Sequence, residues 1–294
     1  MSRASIERSI AFIEAHLQDG LSLDLISEVA CLSKYHFSRV FKKHTGDRVA
    51  DYIRRRRITL SAAKLISSQE SILQIAINHR FDSQEAFTRS FKGVYGMTPN
   101  EYRKNGVNIL AHSRSPLTLD RIEHLQNKIS LEPEIVIEPA RNLVGLHCKT
   151  SMVQNNIPML WTVFRRRQHE IKNTINNGRF GVSDYKNLKV SQFTPSAMIG
   201  KWATVEVSSQ EEIPEEMVVY NLSGGLYARF MHKGGKKNVQ MSFEYIYSTW
   251  LPNTKYEIDN RDHFEHYPKV YLGPENPESE LFIFLPIKLT KATE

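Results

Sequence analysis

Arg39 and Arg89 lie in two stretches that read almost alike, "SKYHFSRVFKKHTG" (Ser33–Gly46) and "SQEAFTRSFKGVYG" (Ser83–Gly96). A guanidinium is a permanent cation with a planar fork of donors. It suits a phosphate, or the O6 and N7 of guanine. At an offset of 50, Ser33 meets Ser83, Phe37 meets Phe87 and Phe41-Lys42 meets Phe91-Lys92. Gly46 then meets Gly96, and Tyr52 meets Tyr102. That many identities at one spacing mark a duplicated unit. Packing requires the phenylalanines to recur, but it does not require Arg39 and Lys42 to recur as Arg89 and Lys92. The chemistry these residues suggest is recognition of a polyanion.

The elements that must hold these side chains are helical. Phe37, Val40, Phe41 and His44 share one helix face, with Tyr35, Ser38, Arg39 and Lys42 pointing away from it. In the second copy Phe87, Phe91 and Val94 form the buried face, and Glu85, Thr88, Arg89 and Lys92 the exposed one. Gly46 and Gly96 supply the left-handed residue that ends a helix. A shorter helix precedes each, opened by Ser22 and Ser71 as N-caps. Two short helices across a tight turn make a helix-turn-helix unit, whose second helix enters the major groove of DNA. A core helix with a solvated basic face gives the same pattern once; repetition of the outward cations favours DNA.

Between the units, "VADYIRRRRITLSAAKLISS" (Val49–Ser68) contains no Gly or Pro and reads as one helix. Val49, Tyr52, Ile53, Leu60 and Ala63 form its expected apolar stripe. Arg54–Arg57 read as a solvated run, except that Arg56 falls on the stripe and is expected either to snorkel to solvent or to pair. Such a helix spans about 30 Å, close to the turn of DNA at about 34 Å. It could hold two reading helices in successive major grooves.

Of the formal net charge of +7, +6 falls in residues 1–106. A basic domain gains affinity for a polyanion by releasing counterions. Residues 4–104 resemble the DNA-binding domain of the AraC/XylS family of bacterial transcription regulators, and within it the Rob/MarA/SoxS group. "FDSQEAFTRSFKGVYGMTPNEYRK" (Phe81–Lys104) is the most specific part. The resemblance implies base contacts from Tyr35, Ser38 and Arg39, and from Gln84, Glu85, Thr88 and Arg89, with Lys34, Lys42 and Lys92 beside them. It implies binding to double-stranded DNA as a monomer, recruitment of RNA polymerase, and a cytoplasmic, nucleoid-associated location. The group has Trp at Tyr35, Gln at Ser38 and at Glu85, and Gly at Cys31, so the sequence preference is expected to differ. Glu85 can accept from cytosine N4.

Beyond Tyr102 the texture changes. Residues 107–130 read as a polar linker, with a short helical turn at "LDRIEH". Residues 131–294 read as about six strands with two helices, "IPMLWTVFRRRQHEI" and "VQMSFEYIYSTWLP". That composition suggests an α+β domain with an antiparallel sheet and helices on one face. The expected protein is therefore multidomain, an all-α part (1–106) with two helix-turn-helix units followed by the α+β part. The second part resembles the GyrI-like domain at "GGLYARFMHKG" (224–234), "STWLP" (248–252), "FEHY" (264–267) and "FIFLPIK" (282–288). That family implies a groove for a hydrophobic or cationic small-molecule effector. Glu265 holds the place of the family's groove carboxylate, and Trp161, Tyr227, Trp250 and Tyr267 are the candidate walls.

Other classes find less support. There is no run of 18 apolar residues to span a membrane and no secretory leader pattern. Cys31 and Cys148 are too far apart in sequence for a metal motif. In "DHFEHY" the two histidines alternate across a strand and diverge, so no metal site is expected. No catalytic constellation or cofactor motif appears, and the expected protein is not an enzyme. A hydrolase using Trp250 and Glu265, or a sequestering protein tethered to DNA, are the alternatives.

Overall fold

A computed structural model of the chain describes residues 3–107, 109, 113–175, 178–185 and 194–290. Positions 108 and 110–112 of the expected linker, and 291–294 of the C-terminal domain, lie outside the described residues. The chain forms two compact units. The first holds the described residues through Gln126, together with Thr194 and Phe243–Pro252; the second holds the remainder.

The first unit is helical: α1 (Arg3–Ala15), α2 (Leu23–Val29), α3 (Lys34–Thr45), α4 (Val49–Ser67), α5 (Ile72–Asn78), α6 (Gln84–Tyr95), α7 (Pro99–Asn105) and α8 (Leu119–Asn127). Ser22 Oγ accepts from Leu25 N at 3.2 Å, and Ser71 Oγ from Gln74 N at 3.1 Å, as expected of N-caps. The duplication extends to the core. Phe41 packs on Tyr52 with ring centroids 5.8 Å apart, and Phe91 on Tyr102 at 5.2 Å. Helices α3 and α6 repeat at an offset of 50, but α2 and α5 repeat at 49, so the second turn is one residue longer. Each turn passes through a left-handed residue that is not glycine, Cys31 at φ 56° and Arg80 at φ 61°. Glycine, which the family resemblance leads one to expect at the Cys31 position, would adopt this conformation without strain.

Helix α4 departs from the expected stripe. Leu60 is only half-buried and Ala63 is exposed, whereas Arg55, Arg56, Ile58, Ser61, Ala62 and Leu65 are buried. A helix enclosed on several sides buries more than a single 100° face. The arginine run is therefore not a solvated face throughout. Arg56 Nη2 meets Glu14 at 2.7 Å, and Arg55 Nη1 meets Asp47 at 3.0 Å. Asp47 is 0% exposed and also pairs with Arg114 at 3.1 Å. Within the same unit Arg55 donates to the Ser248 carbonyl at 2.7 Å, and Thr249 Oγ1 donates to Asp47 at 3.3 Å. Gly46 adopts φ 74°, and a Cβ there would lie 2.6 Å from the Tyr245 ring, so glycine is needed for conformation and for space. The stretch expected as linker joins this unit: Leu117, Ile122 and Leu125 are buried and α8 is a full helix.

Among the described residues the second unit is built on a nine-stranded sheet, richer than the six or so strands expected. The strands are β1 (Glu134–Glu138), β2 (Arg141–Thr150), β3 (Arg179–Asp184), β4 (Ile199–Glu206), β5 (Val218–Leu222), β6 (Gly225–Lys233), β7 (Tyr256–Ile258), β8 (His263–Tyr267) and β9 (Glu280–Leu289). Their order is β1-β6-β9-β8-β3-β4-β2-β5, with β7 pairing β9, and the pairings are antiparallel. Helix α9 (Ile157–Arg167) lays Leu160 and Phe164 on Val144, Ala203 and Val205 of one sheet face. The opposite face carries Phe180, Val182, Tyr227, Phe264 and Phe284. Helix α10 (Lys236–Tyr245) begins in this unit; its end, the wider turn at Ile246–Trp250 and the 3-10 turn that holds Pro252, where the proline suggests a stop, belong to the first unit through Pro252.

Candidate functional site

The two helices expected to read DNA, α3 and α6, are capped alike. Ser33 Oγ accepts from His36 N at 3.4 Å and Ser83 Oγ from Ala86 N at 3.1 Å. Gly46 and Gly96 close them at φ 74° and 70°. Burial follows the same sequence at each position of 35–45 and 85–95. Phe37, Phe41 and Thr45 point inward on α3, as Phe87, Phe91 and Tyr95 do on α6. The same positions are therefore left facing outward on both helices.

Of the expected contact residues, Lys34, Tyr35, Arg39 and Lys42 on α3 are exposed, as are Gln84, Glu85, Arg89 and Lys92 on α6. Ser38 and Thr88 sit half-buried at matching places. Tyr35 is 78% exposed, a large aromatic held in solvent, and the Arg39 guanidinium lies 5.9 Å from its ring centroid. Lys34 pairs with Asp24 of α2 at 2.5 Å, but both are open to water, so the pair contributes little. The Glu85 carboxyl is held below its usual range by its own backbone N–H, then by Ser83 and by the charge of Arg89. Glu85 thus favours the helix N-terminus and draws on Arg89, which a Gln there would not do.

In the second unit the structure brings three of the five expected groove residues together. Gly181 of β3 pairs with Glu265 of β8. A Cβ at Gly181 would lie 2.6 Å from Glu265 Oε2, 3.1 Å from Trp161 Cζ2 and 3.3 Å from a Tyr267 ring carbon. Those three side chains converge over bare backbone, and the Trp161 and Tyr267 rings meet edge to face at 4.9 Å. Tyr227 does not join them. Antiparallel register places it on the opposite face, against Phe264, with its hydroxyl donating to the Ser223 carbonyl at 3.0 Å. Trp250 belongs to the first unit.

Sequence reasoning missed the group that matters most to Glu265. Lys201 Nζ donates to Glu265 Oε2 at 2.6 Å and to Ser183 Oγ at 2.8 Å, with Lys201 3% and Glu265 8% exposed. The signal was present: Lys201 shares strand parity with Ala203 and Val205, positions that face α9. Around this pair, burial and then Lys201 push the His263 imidazole down to about 3, so it is neutral. Burial, with Glu265 adding to it, pushes the Tyr185 hydroxyl up to about 12 and that of Tyr267 well above its ordinary value. His266 is turned to the other face and stacks on Phe180, as the alternation in "DHFEHY" implies.

Comparison with known proteins gives two separate family matches. A helix-turn-helix domain family matches residues 26–105, and the integron-associated effector binding protein family matches residues 134–287. The multiple antibiotic resistance protein MarA of Salmonella typhimurium is 40% identical over 116 residues, 40% of this chain and 90% of MarA. The transcriptional regulator Rob of the same organism is 42% identical over 120 residues, 40% of this chain and 42% of Rob. An uncharacterized HTH-type transcriptional regulator, YbfP of Bacillus subtilis, is 44% identical over 99 residues, 34% of each chain. The matched part thus spans about a third of YbfP and under half of Rob.

Proposed function

Because the chain belongs to the AraC-type helix-turn-helix regulators, and its C-terminal part to the integron-associated effector binding proteins, we propose that it is a transcription regulator of duplex DNA governed by a small-molecule effector. The observation that carries this reading is the matched exposure of the two reading helices, Arg39 with Arg89 and Lys42 with Lys92, each backed by the same buried aromatic pattern. Arg39 and Arg89 read base edges in successive major grooves, while Lys34, Lys42 and Lys92 hold the backbone. Ser38, Thr88, Gln84 and Glu85 adjust the sequence preference. The protein acts as a monomer on an asymmetric site, in the cytoplasm on the nucleoid, and works by engaging RNA polymerase. In the second unit Trp161, Tyr267 and the Glu265–Lys201 pair line the effector groove. A hydrolase is not favoured, since Glu265 is held by Lys201 rather than poised as a free base.

Selection of a binding site from random duplex DNA, followed by a salt titration, tests this reading. Affinity for the selected duplex is expected to fall by about a thousandfold or more between 50 and 200 mM salt, as for about six neutralised phosphates. Failure to enrich any sequence, or an affinity indifferent to salt, would overturn it.

A further inference from the structure

An acidic groove residue suggests a cationic ligand, but Glu265 already has its cation. Lys201 lies on the same sheet face and bonds it at 2.6 Å, with both groups nearly buried. A second cation brought to Glu265 would leave an unbalanced positive charge out of water, which is costly unless another anion comes with it. Displacing Lys201 instead would leave its ammonium with Ser183 alone.

The same face is more basic further along. Arg179 is the cross-strand partner of Tyr267, and its Nε donates to Gln168 Oε1 at 2.8 Å. That bond fixes the guanidinium at the wall of a cavity of about 240 Å³, lined by Gln168, Thr174, Gly178, Arg179, Val205 and Lys269. The lining holds two cations and no carboxylate. Among the described residues no carboxylate forms an ion pair with Arg165, Arg179 or Lys269. Burial, and then the like charge of Arg165, lower the Arg179 guanidinium from its ordinary value, a direction that a bound anion would oppose. Tyr267, the cross-strand partner of Arg179, meets Trp161 edge to face and lies 5.0 Å from Tyr271, which puts an aromatic cluster next to that guanidinium in the sheet.

We infer that this groove selects a flat aromatic acid: Arg179 and Lys269 hold the anionic group, Trp161 and Tyr267 hold the ring, and Lys201 excludes organic cations by neutralising Glu265. The inference rests on the reading of the second unit as an effector-binding domain, and it names the class of effector.

Three probes of one shape and different charge test it by calorimetry on the full chain: naphthoate, naphthylmethanol and naphthylmethylammonium. Naphthoate is expected to bind about tenfold or more tightly than naphthylmethylammonium, with the alcohol between, as charge-assisted hydrogen bonds imply. The double variant Arg179→Gln/Lys269→Gln is expected to lose about tenfold or more in naphthoate affinity while keeping the alcohol's. Lys201→Met is expected to raise the affinity for naphthylmethylammonium, and thermal unfolding checks that it folds. The Arg179/Lys269 variant decides the matter if Lys201→Met does not fold. Binding of the ammonium as tight as that of naphthoate, or a double variant with unchanged preference, overturns the inference and leaves the effector-domain reading standing. Binding of none of the three overturns both.

Discussion

The double substitution Arg39→Ala/Arg89→Ala is expected to remove most specific DNA binding. Each arginine stands on the outward face of a helix whose inward face is packed to completion by Phe37 and Phe41, or by Phe87 and Phe91. Truncating an exposed side chain on such a helix leaves the fold intact, so the loss falls on recognition. A bidentate contact to guanine discriminates by about 1–3 kcal/mol. Two independent readers should therefore lose about 2–6 kcal/mol together on the selected site. Each single variant is expected to lose selectivity at its own base position and to keep it at the other, which is what two separate contacts require. Titrations against the selected duplex and against single-base variants measure this. Losses that do not add, or variants that keep full selectivity, would mean that one helix does not read bases.

Replacing Asp47 with Asn is expected to lower stability by about 3–5 kcal/mol. Its carboxylate lies between the buried guanidinium groups of Arg55 and Arg114, at 3.0 and 3.1 Å. Without it two cations remain out of water with no shared anion, and the amide can offer only part of the lost hydrogen bonding. The same carboxylate follows Gly46, the cap of the first reading helix, so the loss is expected to spread to DNA binding through α3. Urea unfolding measures the change. Adding Arg114→Met is expected to recover part of the loss, because one of the unpaired charges is then gone. A loss below about 1 kcal/mol would show that water reaches the cluster.

The reading helices were legible because their demands are local. A period of 3.6, a serine before each helix and a glycine after it suffice to define which side chains face outward, and duplication repeats the answer. The interior of α4 was not legible. Arg55 and Arg56 look like surface residues until Asp47 and Glu14 are brought to them, and nothing in the run itself names those partners. In the second unit, alternation along β8 correctly put His263, Glu265 and Tyr267 on one side and His266 on the other. Alternation cannot say which side of a neighbouring strand is shared. The register of β6 with β9 and of β9 with β8 turns Tyr227, expected as a wall of the groove that the family resemblance implies, to the other face. Lys201 was overlooked because a charged residue within a strand reads as solvent-facing. Its parity with Ala203 and Val205 was the sign that it points inward and must be paired.

We propose that α3 and α6, joined through the 19 residues of α4, read successive major grooves of one duplex. A hydroxyl-radical footprint of the full chain on its selected site measures that directly. Protection is expected in two patches on one side of the duplex, centred about 10 base pairs apart, with the Arg39→Ala and Arg89→Ala variants each weakening a different patch. A single patch, or two patches on opposite sides of the duplex, would contradict it.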